Sequence, residues 1–243
     1  MANLKNNSRV YGSLTVDRAL IAGAGTGFQN RVVFTSGSSV TYTFPAALQV
    51  LGAIFKITLI GGGAAGGGCA AAVGRSGGGG GSGAVVIAYY RVLAFSFVYT
   101  VGIGGTGVSN AVGGIGGSTF ITYAGEVCSA EGGAGGGVAE SVTTAAGGTV
   151  TLPTNPGPTS SLSFAGTPGG TSGVRATSGP VNGEGGSTPL GFGQGGINGR
   201  WDGAATDPRI GTGYGAGGGG AYSFTASAGT GSAGAPGVII LEY

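Results

Sequence analysis

Glycine makes up 61 of the 243 residues and is spread along the chain in tracts, which limits the fold more than any other feature of this sequence. A glycine inside an α-helix costs about 1 kcal/mol relative to alanine. Almost no stretch as long as an ordinary helix, about 12 residues, is free of glycine and proline. We therefore expect an all-β protein with essentially no α-helix.

Disorder is the alternative that this composition raises first. Glycine and the nine prolines form more than a quarter of the chain, a share typical of disordered segments that lack a repeat. Disordered chains also combine low hydrophobicity with high net charge, whereas here the net charge is only +2 and 41% of the residues are hydrophobic. The chain can therefore bury a core, although a thin one.

Short apolar runs rich in β-branched and aromatic residues predict strands, because glycines bound them. These runs are residues 40–44, 54–60, 84–91, 95–101, 119–123, 127–130 and 238–243. We expect them to form a small β-sandwich-like frame in which the first and the last strand pair.

Between the strands lie glycine tracts, many of them built from Gly-Gly-X or Gly-X-Gly units, as in Gly104-Gly105-Thr106-Gly107. An extended helix with three residues per turn leaves its backbone groups unpaired internally, so glycine-dense segments of this kind can pack side by side and hydrogen-bond to one another. We expect a bundle of such polyglycine-II-like helices. A flexible linker remains the alternative for any single tract.

Two domains follow from this organisation. Residues 1–38 show short β alternations, which predicts a strand-rich stem for attachment or trimerisation. Such a segment has too few apolar residues to fold alone, so we expect it to assemble with something else. Residues 39–243 form the glycine-rich domain.

Two insertions, residues 138–164 and 198–214, interrupt the glycine pattern and are the candidate binding loops, since recognition residues concentrate in loops on a rigid scaffold. The second carries Trp201, the only tryptophan, beside Arg200. Tryptophan, tyrosine and arginine are enriched at binding hot spots. The candidate site residues are Phe192, Asn198, Arg200, Trp201, Asp202, Asp207, Arg209 and Tyr214. An aromatic plug in a core short of large side chains is the alternative for Trp201, and Phe192 and Tyr214 have the same two alternatives.

Several chemistries are disfavoured, and we expect no enzyme, cofactor or metal site. The chain has no histidine, which removes the usual base of a serine or cysteine triad. Residues 61–66 match G-x-G-x-x-G, but the glycines that follow prevent the helix that a dinucleotide needs. Asp202 and Asp207 are the one acidic pair in an aromatic-bearing loop, and they leave a glycosidase as a minor alternative. Cys69 and Cys128 are expected to be reduced and buried.

Charge and hydropathy limit the partners. Ten basic and eight acidic residues form no basic stripe, so nucleic acid is not an expected partner. The apolar runs are far shorter than the roughly 20 residues of a membrane-spanning helix. The first residues lack the apolar core of a secretion signal, which predicts synthesis in a cytoplasm.

Two parts of the sequence frame the glycine-rich region. One is Phe55-Lys56-Ile57-Thr58-Leu59-Ile60-Gly61-Gly62-Gly63, preceded by residues 40–45, and the other is the glycine cluster 213–220 followed by the terminal run 234–243. With these two parts the sequence resembles the glycine-rich domain at the ends of phage tail fibres. The resemblance covers residues 39–243. The chain is also similar to the tip adhesins of T-even-like phages.

The resemblance implies an adhesin of the distal tail fibre in the virion. Its loops would bind a bacterial outer-membrane protein or surface polysaccharide, and it would work as a homotrimer or as the tip of a trimeric fibre with other tail-fibre subunits. The alternative function is a structural virion protein, either a fibre shaft or a capsid decoration. A third possibility, an ice-binding or cell-wall-type scaffold, predicts regular threonine arrays, and the threonine spacing here is irregular.

Overall fold

The computed structural model describes residues 28–71, 74–138, 144–154, 157–171, 173–174, 183–196, 209–223 and 228–243. These ranges contain β-strands and two 3₁₀ turns, Ala46–Leu48 and Pro189–Gly191, and no α-helix occurs within them. The prediction of an all-β chain is confirmed. No helix in the same ranges is long and apolar enough to cross a bilayer. Residues 1–27 of the predicted stem lie outside them.

The strands are numbered in chain order. They are β1 Arg31–Phe34, β2 Val40–Thr43, β3 Ile54–Ile60, β4 Arg75–Ser76, β5 Val85–Arg91, β6 Ser96–Thr100, β7 Thr119–Tyr123, β8 Glu126–Ala130, β9 Val150–Thr151, β10 Ser160–Phe164, β11 Gly173–Val174, β12 Gly193–Gln194, β13 Thr212–Gly213, β14 Tyr222–Ser223 and β15 Val238–Glu242.

Two five-stranded antiparallel sheets form a sandwich. One has the order β1-β15-β3-β5-β10 and the other the order β2-β6-β7-β8-β9. The expected pairing of the first predicted strand, residues 40–44, with the last, residues 238–243, is wrong. Strand β15 lies between β1 and β3, whereas β2 pairs with β6 in the opposite sheet. Strand β1, which belongs to the predicted stem, takes the edge position beside β15.

The space between the sheets is filled by aromatic side chains. Phe55, from the alternating inward face of β3, has its ring centroid 5.1 Å from that of Phe44, 5.5 Å from that of Tyr90 and 5.3 Å from that of Tyr123. All four residues are buried. Edge-to-face and stacked pairs of this kind each contribute about 0.5–1.5 kcal/mol beyond the area that they bury. A few large rings thus make a core in a chain with little apolar volume.

The glycine tracts form a hydrogen-bonded bundle around residues 61–69, which we call the central segment. Its backbone N–H groups donate to three neighbouring segments in a cycle of three residues. In the first of these segments, residues 77–84, the carbonyl groups of Ala84, Gly81 and Gly78 accept from the amides of Gly61, Ala64 and Gly67 respectively, at N–O distances of 2.8–3.0 Å. Residues 111–117 accept from Gly62, Ala65 and Gly68, through Gly117, Gly114 and Ala111 at 2.8–2.9 Å. Residues 229–235 accept from Gly63, Gly66 and Cys69, through Ala235, Ser232 and Gly229 at 2.9–3.0 Å.

The carbonyl groups of the central segment accept bonds from three further segments. The donors are Gly133 and Gly136, Gly218 and Ala221, and Gly105, which belong to residues 132–137, 215–221 and 102–108. The central segment therefore has six bonded neighbours. A period of three residues is that of an extended helix with three residues per turn. The polyglycine-II-like conformation itself stays a prediction, and this period supports it.

Close backbone contact explains why this part of the chain is glycine. A Cβ atom at Gly79 would lie 1.8 Å from the carbonyl oxygen of Glu184. At Gly66 it would lie 2.0 Å from the oxygen of Gly219. Real Cβ atoms do not approach a backbone oxygen so closely, so the segments could not pack at these distances with larger residues.

The course of the chain gives the molecule two ends. Strand β3 runs directly into the central segment at Gly61, so Cys69 lies at the end of the bundle away from the sandwich, which we call the loop end. At the opposite pole, β1 pairs with β15 so that Arg31 is opposite Glu242. Asn30 and Tyr243 exchange two backbone hydrogen bonds of 2.9 and 3.0 Å there. The chain therefore joins the sandwich at the pole remote from the loop end.

Candidate functional site

Four breaks in the described chain lie at the loop end. Their flanking residues are 71 and 74, 138 and 144, 174 and 183, and 223 and 228. The backbone bridge between Cys69 and Gly229, with N–O distances of 3.0 and 3.1 Å, marks this level of the bundle. Four separate connections therefore start and finish at one surface.

A small three-stranded sheet holds this surface together. Strand β4 is its centre, with β11 and β14 on either side. Arg75 lies opposite Val174 on one side and Ser223 on the other. The amide of Gly74 donates to the carbonyl of Ser223 at 2.9 Å. Flanking residues of three of the four breaks are thus tied into one fixed base, the usual setting for loops that carry recognition. The sequence analysis did not find this base, because strands of two residues carry no periodic signal.

A further break, residues 197–208, has its flanking residues on the side of the bundle. Its two flanking residues are adjacent, since a Cβ atom at Gly196 would lie 2.0 Å from the carbonyl oxygen of Arg209. The amide of Gly196 donates to Gly217 at 2.8 Å, and the carbonyl of Arg209 accepts from the Ser232 hydroxyl at 2.8 Å. The two residues that flank these twelve positions are thus adjacent, and each is hydrogen-bonded to the bundle.

Most of the predicted site residues belong to this connection. Asn198, Arg200, Trp201, Asp202 and Asp207 lie outside the described residues. Arg209 is exposed at the foot of the connection, on the same segment as Ile210, which is 63% exposed.

Phe192 and Tyr214 have the packing role that was one of the two alternatives for them. Both are half-buried against Ile60 and Val85, in an apolar cluster on the outer face of the β3 sheet. The amide of Tyr214 donates to the carbonyl of Phe192 at 2.9 Å. These two aromatic residues cover the sheet next to the bundle, which is the packing role that was the alternative for Trp201.

The predicted loop 138–164 is partly wrong. Residues 150–151 form β9 and residues 160–164 form β10, the edge strands of the two sheets of the sandwich. Ser160 lies opposite Tyr89 and Phe164 opposite Val85, so β10 extends from the bundle toward the far pole. Only residues 139–143 of this insertion belong to the connections at the loop end.

The described side chains show few chemically reactive groups. Glu131 accepts hydrogen bonds from the hydroxyl groups of Ser118 and Ser129, the latter at 2.6 Å. Cys69 and Cys128 are buried free thiols, as predicted, and burial raises the pKa of each. Within the described ranges, no three Cys, Asp or Glu side chains are close enough to hold a metal ion.

One family of known proteins matches most of the chain. Residues 34–243 match the family described as glycine-rich domain, which covers the sandwich from the end of β1 and the whole bundle. No curated protein matches the chain.

Proposed function

We propose that this chain, which belongs to the glycine-rich domain family, is a non-enzymatic adhesin of a phage tail fibre and binds a receptor on the bacterial surface. The observation that carries the proposal is the separation of the two ends. The chain joins the sandwich at one pole, beside Asn30, and four connections meet at the opposite end of the bundle, on the base formed by β4. Attachment through the sandwich and recognition through the connections of the bundle, including residues 197–208 on its side, is the arrangement that an adhesin requires.

The bundle supports this role because its stability rests on backbone groups. Hydrogen bonds at 2.8–3.0 Å join the central segment to its neighbours, and its residues contribute almost no side-chain chemistry. Gly196 and Arg209, which flank residues 197–208, are held by hydrogen bonds to Gly217 and Ser232, which lie outside that range. Loops on such a scaffold are free to vary while the bundle stays the same.

The proposed ligand is an outer-membrane protein or a surface polysaccharide. Arg200 and Trp201 are the proposed anchors, since an indole ring stacks on a sugar or fills an apolar pocket and a guanidinium binds carboxylate or phosphate groups bidentately. We further propose that the protein is located in the virion at the distal end of the fibre, as a homotrimer or as the tip of a trimeric fibre.

Binding to cells tests this function. Purified, fluorescently labelled protein is incubated with a panel of bacterial strains, and bound fluorescence is compared between the wild type and an Arg200→Ala/Trp201→Ala double variant. The matched control is Ile103→Ala/Ile115→Ala, which removes two exposed side chains, 73% and 75% accessible, from the side of the bundle. Circular dichroism and thermal unfolding establish that all three proteins are folded.

The proposal predicts binding to some strains only, lost in the Arg200/Trp201 variant and kept in the control. Equal binding by both variants would leave the adhesin proposal in place but remove Arg200 and Trp201 from it. If the folded wild type binds no strain, the adhesin proposal fails and a structural virion protein takes its place.

A further inference from the structure

A second surface of interest, rich in exposed apolar side chains, lies at the pole of the sandwich remote from the loop end. Five large apolar side chains are exposed there, which we call the apolar end: Val50 at 57%, Leu51 at 69%, Ile54 at 47%, Leu93 at 54% and Phe95 at 42%. They lie in the turn before β3, at the first residue of β3 and in the turn between β5 and β6. Turns at a protein surface usually carry small or polar residues, so this concentration of apolar side chains calls for a partner.

The backbone of the apolar end is held in place. The amide of Gly52 donates to the carbonyl of Val92 at 2.9 Å, and the amide of Val92 donates to Ala53 at 2.8 Å, so the two turns are joined. The Tyr123 hydroxyl accepts from the amides of Leu93 and Ala94 at 2.6 and 3.1 Å. The exposed side chains therefore project from a fixed surface, and covering them costs little ordering of the backbone.

Phe28, the first residue that the structure describes, lies at this same pole. The Phe28 ring lies 6.1 Å, centroid to centroid, from the ring of Tyr89. Tyr89 is opposite Lys56 in the sheet, and Arg91, two residues further along β5, is opposite Ile54. Alternate residues of a strand share one face, so Phe28 approaches the sheet on the face and at the end where Ile54 is exposed.

We propose that residues 10–21 of this chain cover the apolar end. They contain Val10, Leu14, Val16, Leu20 and Ile21, an apolar set that is too small to form a core alone. Six residues rich in glycine and alanine connect them to Phe28. A connection of this length reaches about 20 Å at roughly 3.3 Å per residue, against the ~10 Å that separates the two sheets of a sandwich.

The segment and the surface complement each other. The apolar end has fixed backbone and exposed side chains, and residues 10–21 have apolar side chains and a tether that begins at the right pole. The tether also gives the contact a high effective concentration, which a separate partner lacks. The same chain is therefore the favoured occupant, ahead of a second copy.

Thiol labelling of the full chain tests this inference. Leu51→Cys reports on the apolar end, and Ile115→Cys on the side of the bundle is the matched control, since the two native residues are 69% and 75% exposed. The native Cys69 and Cys128 are 0% and 1% exposed and leave the signal to the introduced thiol. A Leu14→Asp/Val16→Asp pair is added to each variant, and the rate of reaction with a maleimide is measured at several protein concentrations.

We expect the Leu51→Cys thiol to react at least about tenfold more slowly than the Ile115→Cys thiol. This ratio follows if the apolar end is covered in about nine molecules of ten, because only the uncovered tenth reacts. The two aspartates should bring the two rates together and leave the Ile115→Cys rate unchanged. Equal rates without the aspartates would overturn the inference, and so would slow labelling that the aspartates do not relieve. Labelling of Leu51→Cys that speeds up on dilution would assign the covering role to a second copy instead.

Discussion

The α-carbon of Gly116 faces the carbonyl oxygen of Gly62, and a Cβ atom built on Gly116 would lie 2.0 Å from that oxygen. The preceding residue, Ile115, has a side chain that is 75% exposed. One position of an outer segment thus faces the centre of the bundle and its neighbour faces solvent.

This relationship predicts opposite outcomes for two adjacent substitutions. Gly116→Ala should lower the free energy of unfolding by at least about 3 kcal/mol, the upper part of the range for overpacking, because the obstacle is backbone and cannot rotate away. Ile115→Ala should change it by less than about 0.5 kcal/mol, as is usual at an exposed site. Chemical denaturation followed by circular dichroism measures both. A Gly116→Ala protein as stable as the wild type would refute close packing of these segments.

Two core tyrosines are predicted to respond differently to loss of their hydroxyl groups. Tyr123→Phe leaves the amides of Leu93 and Ala94 without their acceptor, which should cost about 1–3 kcal/mol. The Tyr90 hydroxyl has no hydrogen-bond partner within the described residues other than contact with the Cys128 thiol, so Tyr90→Phe should be neutral or slightly stabilising. Denaturation midpoints of the two variants give the comparison. Equal losses of stability would contradict this account of the core.

The parts of the fold that could be predicted from the sequence are those specified by neighbouring residues in the chain. The predicted strands at 54–60 and 119–123 coincide with β3 and β7, because β-branched runs bounded by glycine specify a strand locally. The position of β15 between β1 and β3 was missed, since strand order depends on contacts between distant residues. Strand β10 was missed because Ser160-Ser161-Leu162-Ser163 is a polar edge strand without a buried face.

The candidate site was predicted less completely, for two physical reasons. Phe192 and Tyr214 were chosen as aromatic residues near Trp201, yet they pack on the sheet against Ile60. Composition alone does not distinguish an aromatic residue that covers a sheet from one that binds a ligand. The base at the loop end depends on Arg75 meeting Val174 and Ser223, residues about 100 and 150 positions away in the sequence, and no local pattern encodes such a meeting.

The buried thiols predict the dependence of stability on alkaline pH. Burial raises the pKa of Cys69 and Cys128 above their ordinary value of 9.0. The unfolded chain loses these protons near that value while the folded chain keeps them, so stability is fully present below pH 9.0 and falls as the pH rises above it. Denaturation curves over this range should show the fall, and a Cys69→Ala/Cys128→Ala variant should show a smaller one.

Tyr90 supplies the control for that measurement. Burial also raises the pKa of its hydroxyl, whose ordinary value is 10.0, so a second loss of stability should begin about one pH unit later and persist in the double cysteine variant. An identical alkaline profile for the wild type and the double variant would contradict the assignment to the thiols.

Binding through the connections of the bundle, and not through the sandwich, is the central claim, and a steric block placed on each of these two parts tests it most directly. A large polyethylene glycol is attached through Ile210→Cys, which is exposed beside the foot of residues 197–208, or through Ser160→Cys, which is exposed on the edge of the sandwich toward the far pole. The buried native thiols do not compete for the reagent. Binding to a strain that the wild type recognises should be lost with the polymer at position 210 and retained with it at position 160. Loss of binding from position 160 alone would contradict the claim and move recognition to the sandwich.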